Sequence, residues 1–491
     1  MLRFELNTSG EDMRRLALMN LFLASFLATP AQAGIVYLAN GTLTNNTDLS
    51  GLSGLLENGM PANILGGIGS GLAYAGGNSF LAVPDRGPNA TPYNSAVDDT
   101  VSYISRFHTL NMALTASAPG SALPFTLTPS LSETTLLFSP TALTYGSGAG
   151  LGALGSGAPA QNNATTFYFS GRSDNFGAGG SGNADNARFD PESIRVSNDG
   201  KSVFISDEYG PYVRQFDRAS GKLIKTFTLP SHLDAPNLSP KGDTEIAGNS
   251  SGRVANKGME GLALTPDGKT LVGIMQAALI QDAADPATAN LLRIVTIDIA
   301  TGVTHEYGYK LTTGSGVSDI VAINDHEFLV DERDGKGLGD GTNAKIKQIF
   351  KIDLTGAADI TSLTGAAAAS AAVTKSGTPF LDLVAALTAA GITKDQIPAK
   401  IEGITFGQDI MYGGSLYHTL YIANDNDFVP GVAGPNQFYV FGFQDGDLPN
   451  FAPQQFAAVP EPATWAMMIG GFGLVGGVLR RRKLSVAINQ A

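Results

Sequence analysis

The sequence predicts an all-β fold, a β-propeller of about six four-stranded blades, with five or seven also compatible. Three observations point there. A strand–turn–strand unit recurs along the middle of the chain. Its turns are mostly short and two carry Asp-Gly (Asp199-Gly200 and Asp267-Gly268), the signal of a tight hairpin. Hydrophobic residues make up 43% against only 15% charged, which suits one large core and excludes wholesale disorder. The length of 491 residues exceeds an ordinary domain, but a count from length is soft for closed all-β folds.

The chain opens on an address. Met13-Arg14-Arg15 precedes the apolar run Leu16 to Ala28, and Ala31-Gln32-Ala33 follows. This is the charged, apolar and small-residue order of a secretory signal peptide, so residues 1–33 are expected to be removed by signal peptidase. The mature chain would begin near Gly34, with Met13 as an alternative start of translation.

The repeat comes next. Its copies run from Glu192 to Glu208, Glu260 to Ile274, Asp319 to Glu332 and Glu402 to Asp425, with a weaker copy from Gly71 to Asp85. Each reads as a strand, a turn and a second strand. Further strands follow in two of them: Tyr212–Asp217 with Lys222–Leu229, and Leu291–Ile299 with Val303–Tyr309. Four strands per unit make a propeller blade. Phe167-Tyr168-Phe169-Ser170 is the candidate for a sixth, and Ile35–Leu38 could supply the strand that closes the ring. Two stretches depart from the pattern. Gly146–Gly182 is Gly- and Ser-rich and reads as a flexible excursion, and the Ala-rich Leu354–Ile397 reads as a small helical insertion.

The end has three parts in series: Val459-Pro460-Glu461-Pro462, the apolar Trp465–Leu479, then Arg480-Arg481-Arg482-Lys483. The apolar part rises only about 22 Å as a helix, short of a full hydrocarbon core. A short membrane anchor is one reading. The ordered triplet also resembles the PEP-CTERM sorting signal, which implies export from a Gram-negative cell, transient anchoring and processing by an exosortase-type transpeptidase. The chain thus divides into a leader (1–33), a propeller (34–458), a sorting and anchor segment (459–483) and a tail (484–491).

Charge narrows the partners. The chain holds 31 basic and 44 acidic residues, a net −13, which argues against nucleic acid. It contains no Cys, so disulfides, thiolate metal sites and Cys nucleophiles are excluded. The acids recur at the starts of first strands and the ends of second strands, which lie at one edge of an antiparallel hairpin. About ten carboxylates would therefore gather at one opening of the ring. So many like charges disfavour ionisation unless a cation compensates them, and oxygen ligands without Cys or His suit Ca²⁺. The candidate ligands are Asp85, Glu192, Glu208, Glu260, Asp331, Glu332, Glu402, Asp425 and Asp427. Capping of turns, or pairing with Arg and Lys, is the alternative for any single one. Arg86, Asp207, Glu208, Tyr209 and Arg333 sit among these acids as candidate catalytic groups, since an Arg fork suits phosphate oxygens.

Other motifs fail on context. Gly150–Gly155 and Gly471–Gly476 match G-x-G-x-x-G but lie in a Gly/Ser loop and in the sorting segment, not in a βαβ unit. Gly248–Gly252 matches the G-x-S-x-G elbow without its strand and helix. The five His show no zinc spacing.

Asp85–Asn89 (DRGPN), Asp190–Ser193 (DPES), Ser206–Pro211 (SDEYGP), Asn256–Leu271, Asp331–Gly335 (DERDG), Lys400–Ile404 (KIEGI) and Asn424–Asp427 (NDND) together resemble the secreted family called esterase-like activity of phytase. The resemblance implies a propeller with calcium-assisted hydrolysis of phosphate monoesters or phytate. The expectation is an exported, calcium-dependent hydrolase of a phosphorylated small molecule or other ester. Its alternatives are a calcium-stabilised surface propeller that binds exopolysaccharide or a partner, and a lactonase-like hydrolase.

Overall fold

The computed structural model describes residues 34–90, 99–146, 157–312 and 314–456. The leader, the sorting segment and both G-x-G-x-x-G stretches lie outside the described residues. Five antiparallel sheets form the ring. Blade 1 comprises Gly71–Tyr74, Ser79–Val83, Arg106–Ala116 and Phe125–Leu136; blade 2 comprises Pro191–Val196, Ser202–Asp207, Tyr212–Asp217 and Leu223–Thr228. Blade 3 is Met259–Leu264, Thr270–Met275, Leu291–Asp298 and Thr304–Lys310. Blade 4 is Gly316–Ala322, Glu327–Arg333 and Lys347–Asp353, edged by two short strands, Thr374–Lys375 and Leu381–Asp382. Blade 5 is Ile401–Phe406, Ser415–Asn424, Asn436–Phe443 and, from the other end of the chain, Val36–Leu43.

The first strand of each blade packs on the first strands of its two neighbours, and blade 5 packs back on blade 1, so the ring closes at five. This lies within the range the sequence predicts. Among the described residues, Phe167–Tyr168 pairs only with Phe138–Ser139, two residues to two, and makes a ribbon outside the ring. The Gly-rich stretch is less free than its composition suggests. Phe169 and Arg172 are fully buried, and Phe169 meets Phe189 and Phe216 at ring separations of 5.4 and 5.8 Å. The Ala-rich insertion does hold two short helices, Gly365–Ser370 and Leu383–Ala389.

Apolar residues fill the spaces between blades. Ile274, Ile294, Ile320, Phe328 and Val330, for example, form one cluster between blades 3 and 4. Near the axis, glycine sets the spacing. A Cβ on Gly261 would lie 2.9 Å from the Cα of Asp319, and one on Gly403 would lie 2.9 Å from the carbonyl of Gly69. Neither site accepts a side chain without moving a neighbouring first strand.

The axis itself is plugged. Arg195 of blade 2 donates to both carboxylate oxygens of Asp319 of blade 4, at 3.0 and 2.9 Å. The guanidinium also donates to the carbonyls of Leu72 (2.7 Å), Ile194 (2.7 Å), Ile320 (2.8 Å) and Ile404 (3.3 Å). Asp319 in turn accepts from Ser193 Oγ (2.9 Å) and from the amides of Leu262 (3.3 Å), Ile320 (2.9 Å) and Ile404 (3.0 Å). One ion pair thereby ties all five first strands. It also makes the upper end of the axis, where those strands start, a pocket rather than a channel.

Candidate functional site

Two sets of equivalent positions line that upper pocket. Each first strand in blades 2 to 5 carries a bulge near its start: Pro191/Ile194, Met259/Gly261, Val317/Ile320 and Ile401/Ile404. The equivalent bulge residues are Glu192, Glu260, Ser318 and Glu402. A bulge leaves its extra residue unpaired and re-aims its side chain, here toward the axis. The second set stands at the end of each second strand or just past it: Asp85, Glu208, Gln276, Arg333 and Asp425. Except for Ser318 and Asp425, all of these line a cavity of about 210 Å³ together with Arg86 and Lys400.

The charges interlock. Arg86 donates to Asp190 through its backbone N–H (2.9 Å) and its guanidinium (3.2 Å), and the guanidinium also meets Asn256. Arg333 donates to Ser318 Oγ (2.6 Å), pairs with Glu402 and lies 3.8 Å from Glu260. Lys400 pairs with Asp425 (2.8 Å) and Asp427 (2.5 Å). Gln276 donates to Glu260 (2.7 Å) and the Gly258 amide to Glu208 (3.0 Å). Eight carboxylates (Asp85, Asp190, Glu192, Glu208, Glu260, Glu402, Asp425 and Asp427) thus face three partly exposed cations, Arg86, Arg333 and Lys400. Glu192 is only 7% exposed and has no hydrogen-bond or ion-pair partner among the described residues.

This excess of negative charge raises the proton affinity of several of these carboxylates. Burial, then the charges of Glu260 and Asp190, push Glu192 and Glu208 well above the usual carboxylate range. Burial and Asp425 do the same to Asp85. Glu260 is raised to about 8 by burial and by Glu402, against the opposing pull of Arg333. Asp425 runs the other way, because Lys400 and the Asp427 amide outweigh its burial.

The pocket fits a hard cation. Asp85, Asp425 and Asp427 bring one carboxylate oxygen each to within 4.8 Å of one another, and Asp190, Glu192 and Glu208 do the same. No His belongs to either trio, and oxygen-only donors of this kind select Ca²⁺ or Mg²⁺ over softer metals.

Four of the sequence-predicted residues stand elsewhere. Asp207 precedes Glu208 and so faces the other way; it accepts from the Asp190 and Tyr209 amides (both 3.1 Å) and lies 3.5 Å from Arg214. Glu332 faces away from Arg333 for the same reason, and accepts from Tyr309 Oη (2.6 Å) and from Lys375. Asp331 shares the side of Arg333 but sits deeper, fully buried, with neither oxygen hydrogen-bonded among the described residues; burial pushes it up to about 8. Tyr209 lines an adjoining cavity of about 360 Å³ on the far side of Arg86 and Asn256. There its hydroxyl donates to the Gly171 carbonyl (3.0 Å) and Arg188 lies over its ring at 3.9 Å. Asp319, read as the counterpart of the strand-opening glutamates, is one residue out of step with them and is the axial plug instead. Gly248–Gly252 follows a short helix, Gly242–Ala247, and forms no elbow.

Asp190, Asn256, Gln276 and Lys400 are site residues that the candidate set omits. A signal existed for two of them. Asp190 and Lys400 stand two residues before Glu192 and Glu402, close to the same pocket.

A family described as "Esterase-like activity of phytase" matches residues 63–428, and the PEP-CTERM protein-sorting motif matches residues 458–483. An "Uncharacterized secreted protein" of Arthroderma benhamiae is 30% identical over 259 residues, which cover 47% of this chain and 47% of that one. The chain therefore spans about half the length of the curated relative it matches. Among solved structures, a protein of unknown function from Dyadobacter fermentans is 9% identical, over 84% of this chain and 100% of that one, with a TM-score of 0.35. Hydrazine synthase of Kuenenia stuttgartiensis is 12% identical, over 75% and 79%, with a TM-score of 0.28.

Proposed function

The chain belongs to the esterase-like phytase family, and on that premise we propose that it is an exported hydrolase of phosphate esters that works with Ca²⁺ in the upper pocket. Its sorting motif marks it as a secreted protein with a C-terminal membrane-anchored signal, and an exosortase-type enzyme is the processing partner that motif implies. Among the described residues no helix is long and apolar enough to cross a membrane.

The observation that carries the reading is that members of both carboxylate trios, Glu192 and Glu208 of one and Asp85 of the other, line one cavity with Arg86, Arg333 and Lys400. Asp190, Glu192 and Glu208 would hold one cation, and Asp85, Asp425 and Asp427 a second or alternative one. When bound, the cation supplies charge neutralisation and Lewis-acid polarisation of phosphoryl oxygens. Arg333 is pre-aimed by Ser318 and Glu402, and Arg86 by Asp190 and Asn256, so each offers remaining guanidinium donors to an anionic group. The plugged axis closes the floor and limits the substrate to what enters from above.

A hydrolysis screen of the purified protein over phosphomonoesters, phytate, carboxyl esters and lactones, with and without Ca²⁺, tests the reading. Ca²⁺-dependent release of phosphate supports it. Turnover of carboxyl esters or lactones alone replaces the substrate class, and no turnover at all leaves a cation-stabilised binding propeller. Two further outcomes are expected. At one hundred times its dissociation constant, Ca²⁺ should stabilise the fold by about 2.7 kcal/mol; identical melts in EDTA and in millimolar Ca²⁺ would remove the cation. Arg333→Ala should lower kcat/KM about 10- to 100-fold, the worth of a charge-assisted hydrogen bond, while the Ca²⁺-dependent melting increment persists. Loss of that increment would place Arg333 in holding the cation site rather than the substrate.

A further inference from the structure

The opposite end of the axis is closed by the chain's own last described residues. First strands end there at Tyr74, Val196, Leu264, Ala322 and Phe406. The segment from Phe451 to Phe456 crosses beneath them. The Ala452 amide donates to the Ile323 carbonyl at 2.8 Å, beside blade 4. Phe451 packs on Phe406 of blade 5, with ring centroids 4.6 Å apart. Gln454 then reaches the Val196 carbonyl of blade 2 at 2.7 Å, and Phe456 meets Tyr74 of blade 1 at 5.7 Å. The sorting motif begins at residue 458, two residues beyond Phe456, a reach of about 7 Å at full extension. The tail therefore leaves the ring at its lower face, close to the axis.

A second, independent feature lies on the same face. In blade 5 the first strand ends opposite Leu420. The second strand starts at Ser415, and its first three residues, Ser415–Tyr417, run past both neighbouring strands of the sheet and pair instead with Ile410–Tyr412. At the end of this projecting hairpin, Met411 is 63% exposed, Leu416 50% and Tyr412 39%. Two aliphatic groups and a phenol at one tip make an amphipathic surface of the kind that settles at a lipid headgroup boundary.

We propose that the lower face is turned to the lipid surface while the chain is anchored. The Met411, Tyr412 and Leu416 tip rests on the bilayer, and the acidic pocket, at the other end of the axis, opens away from it. Asp409 and Asp445 beside the hairpin, both bonded to His418, favour zwitterionic over anionic lipid. The orientation stands on the path of the chain and holds whether or not the pocket is catalytic.

The absence of native cysteine allows single-site labelling. Met411→Cys and Lys336→Cys, the latter exposed near the upper pocket, would each carry a fluorophore on the chain with its tail. Each would be reconstituted into phosphatidylcholine–phosphatidylethanolamine vesicles containing brominated acyl chains, and only protein that floats with the vesicles would be read. The probe at 411 should be quenched about twofold or more, since interfacial apolar groups sit about 5–10 Å into the headgroup region. The probe at 336 should be unaffected. Equal quenching at both sites, none at 411, or quenching at 336 alone overturns the proposal.

Discussion

Replacing Asp319 by alanine is expected to destabilise the propeller by about 3–5 kcal/mol, the effect of leaving a buried charge without its partner. Asp319 and Arg195 are almost completely buried (side chains 0% and 5% exposed). Without the carboxylate, Arg195 stays charged on the axis, facing only carbonyls. The amides of Leu262 and Ile404 lose an acceptor at the same time, and the cost of these buried orphans is part of that total. Many buried ion pairs can be exchanged for apolar residues at little loss. This one is expected to resist that exchange, because its partners include backbone groups of every blade. Arg195→Met with Asp319→Leu should therefore recover less than half of the lost stability. Urea denaturation measures both. A single Asp319→Ala variant within about 1 kcal/mol of the parent would show that the plug is incidental to the closure of the ring.

That plug also marks where reading the sequence alone stops. The hairpins, the acids at their edges and the closing strand were legible, because period-two alternation and Asp-Gly turns are local signals. The ion pair was not, since 124 residues separate Arg195 from Asp319 and nothing near either names the other. Matching acids by type set Asp319 beside Glu192, Glu260 and Glu402; the bulge puts Ser318 there and turns Asp319 inward. Alternation likewise splits Asp207 from Glu208 and Glu332 from Arg333, so of each adjacent pair one faces the pocket and one faces away, Asp207 toward Arg214 of its own blade and Glu332 toward Tyr309 of blade 3. Gln276 escaped notice because it carries no charge, although it occupies the same position in blade 3 as Glu208 does in blade 2. The blade number was bounded rather than fixed, since Phe167–Ser170 reads as a strand but its partner is only two residues long.

The largest functional effect is expected at the trio of Asp190, Glu192 and Glu208, and its sign depends on pH. Glu208→Gln keeps the shape of the side chain and its acceptance of the Gly258 amide but removes a charge the cation needs. Hydrolysis should fall about 100-fold or more, and the Ca²⁺-dependent melting increment should shrink with it. In EDTA the same variant should be as stable as the parent or more so. The reason is that burial and the charges of Glu260 and Asp190 hold Glu208 well above the usual carboxylate range, so ionising it opposes folding. For an acid raised in this way the folded state binds more protons than the unfolded chain, and stability declines as pH rises. With Glu260 raised from 4.5 to about 8, EDTA-treated protein should lose stability from about pH 4.5 to about pH 8. The Ca²⁺ increment should grow over the same interval, because a cation binds the ionised carboxylates and competes with their protons. Melting curves at pH 5 and pH 8, with EDTA and with Ca²⁺, give all four values. An increment equal at the two pH values, or one that survives Glu208→Gln intact, would mean that these carboxylates do not hold the ion.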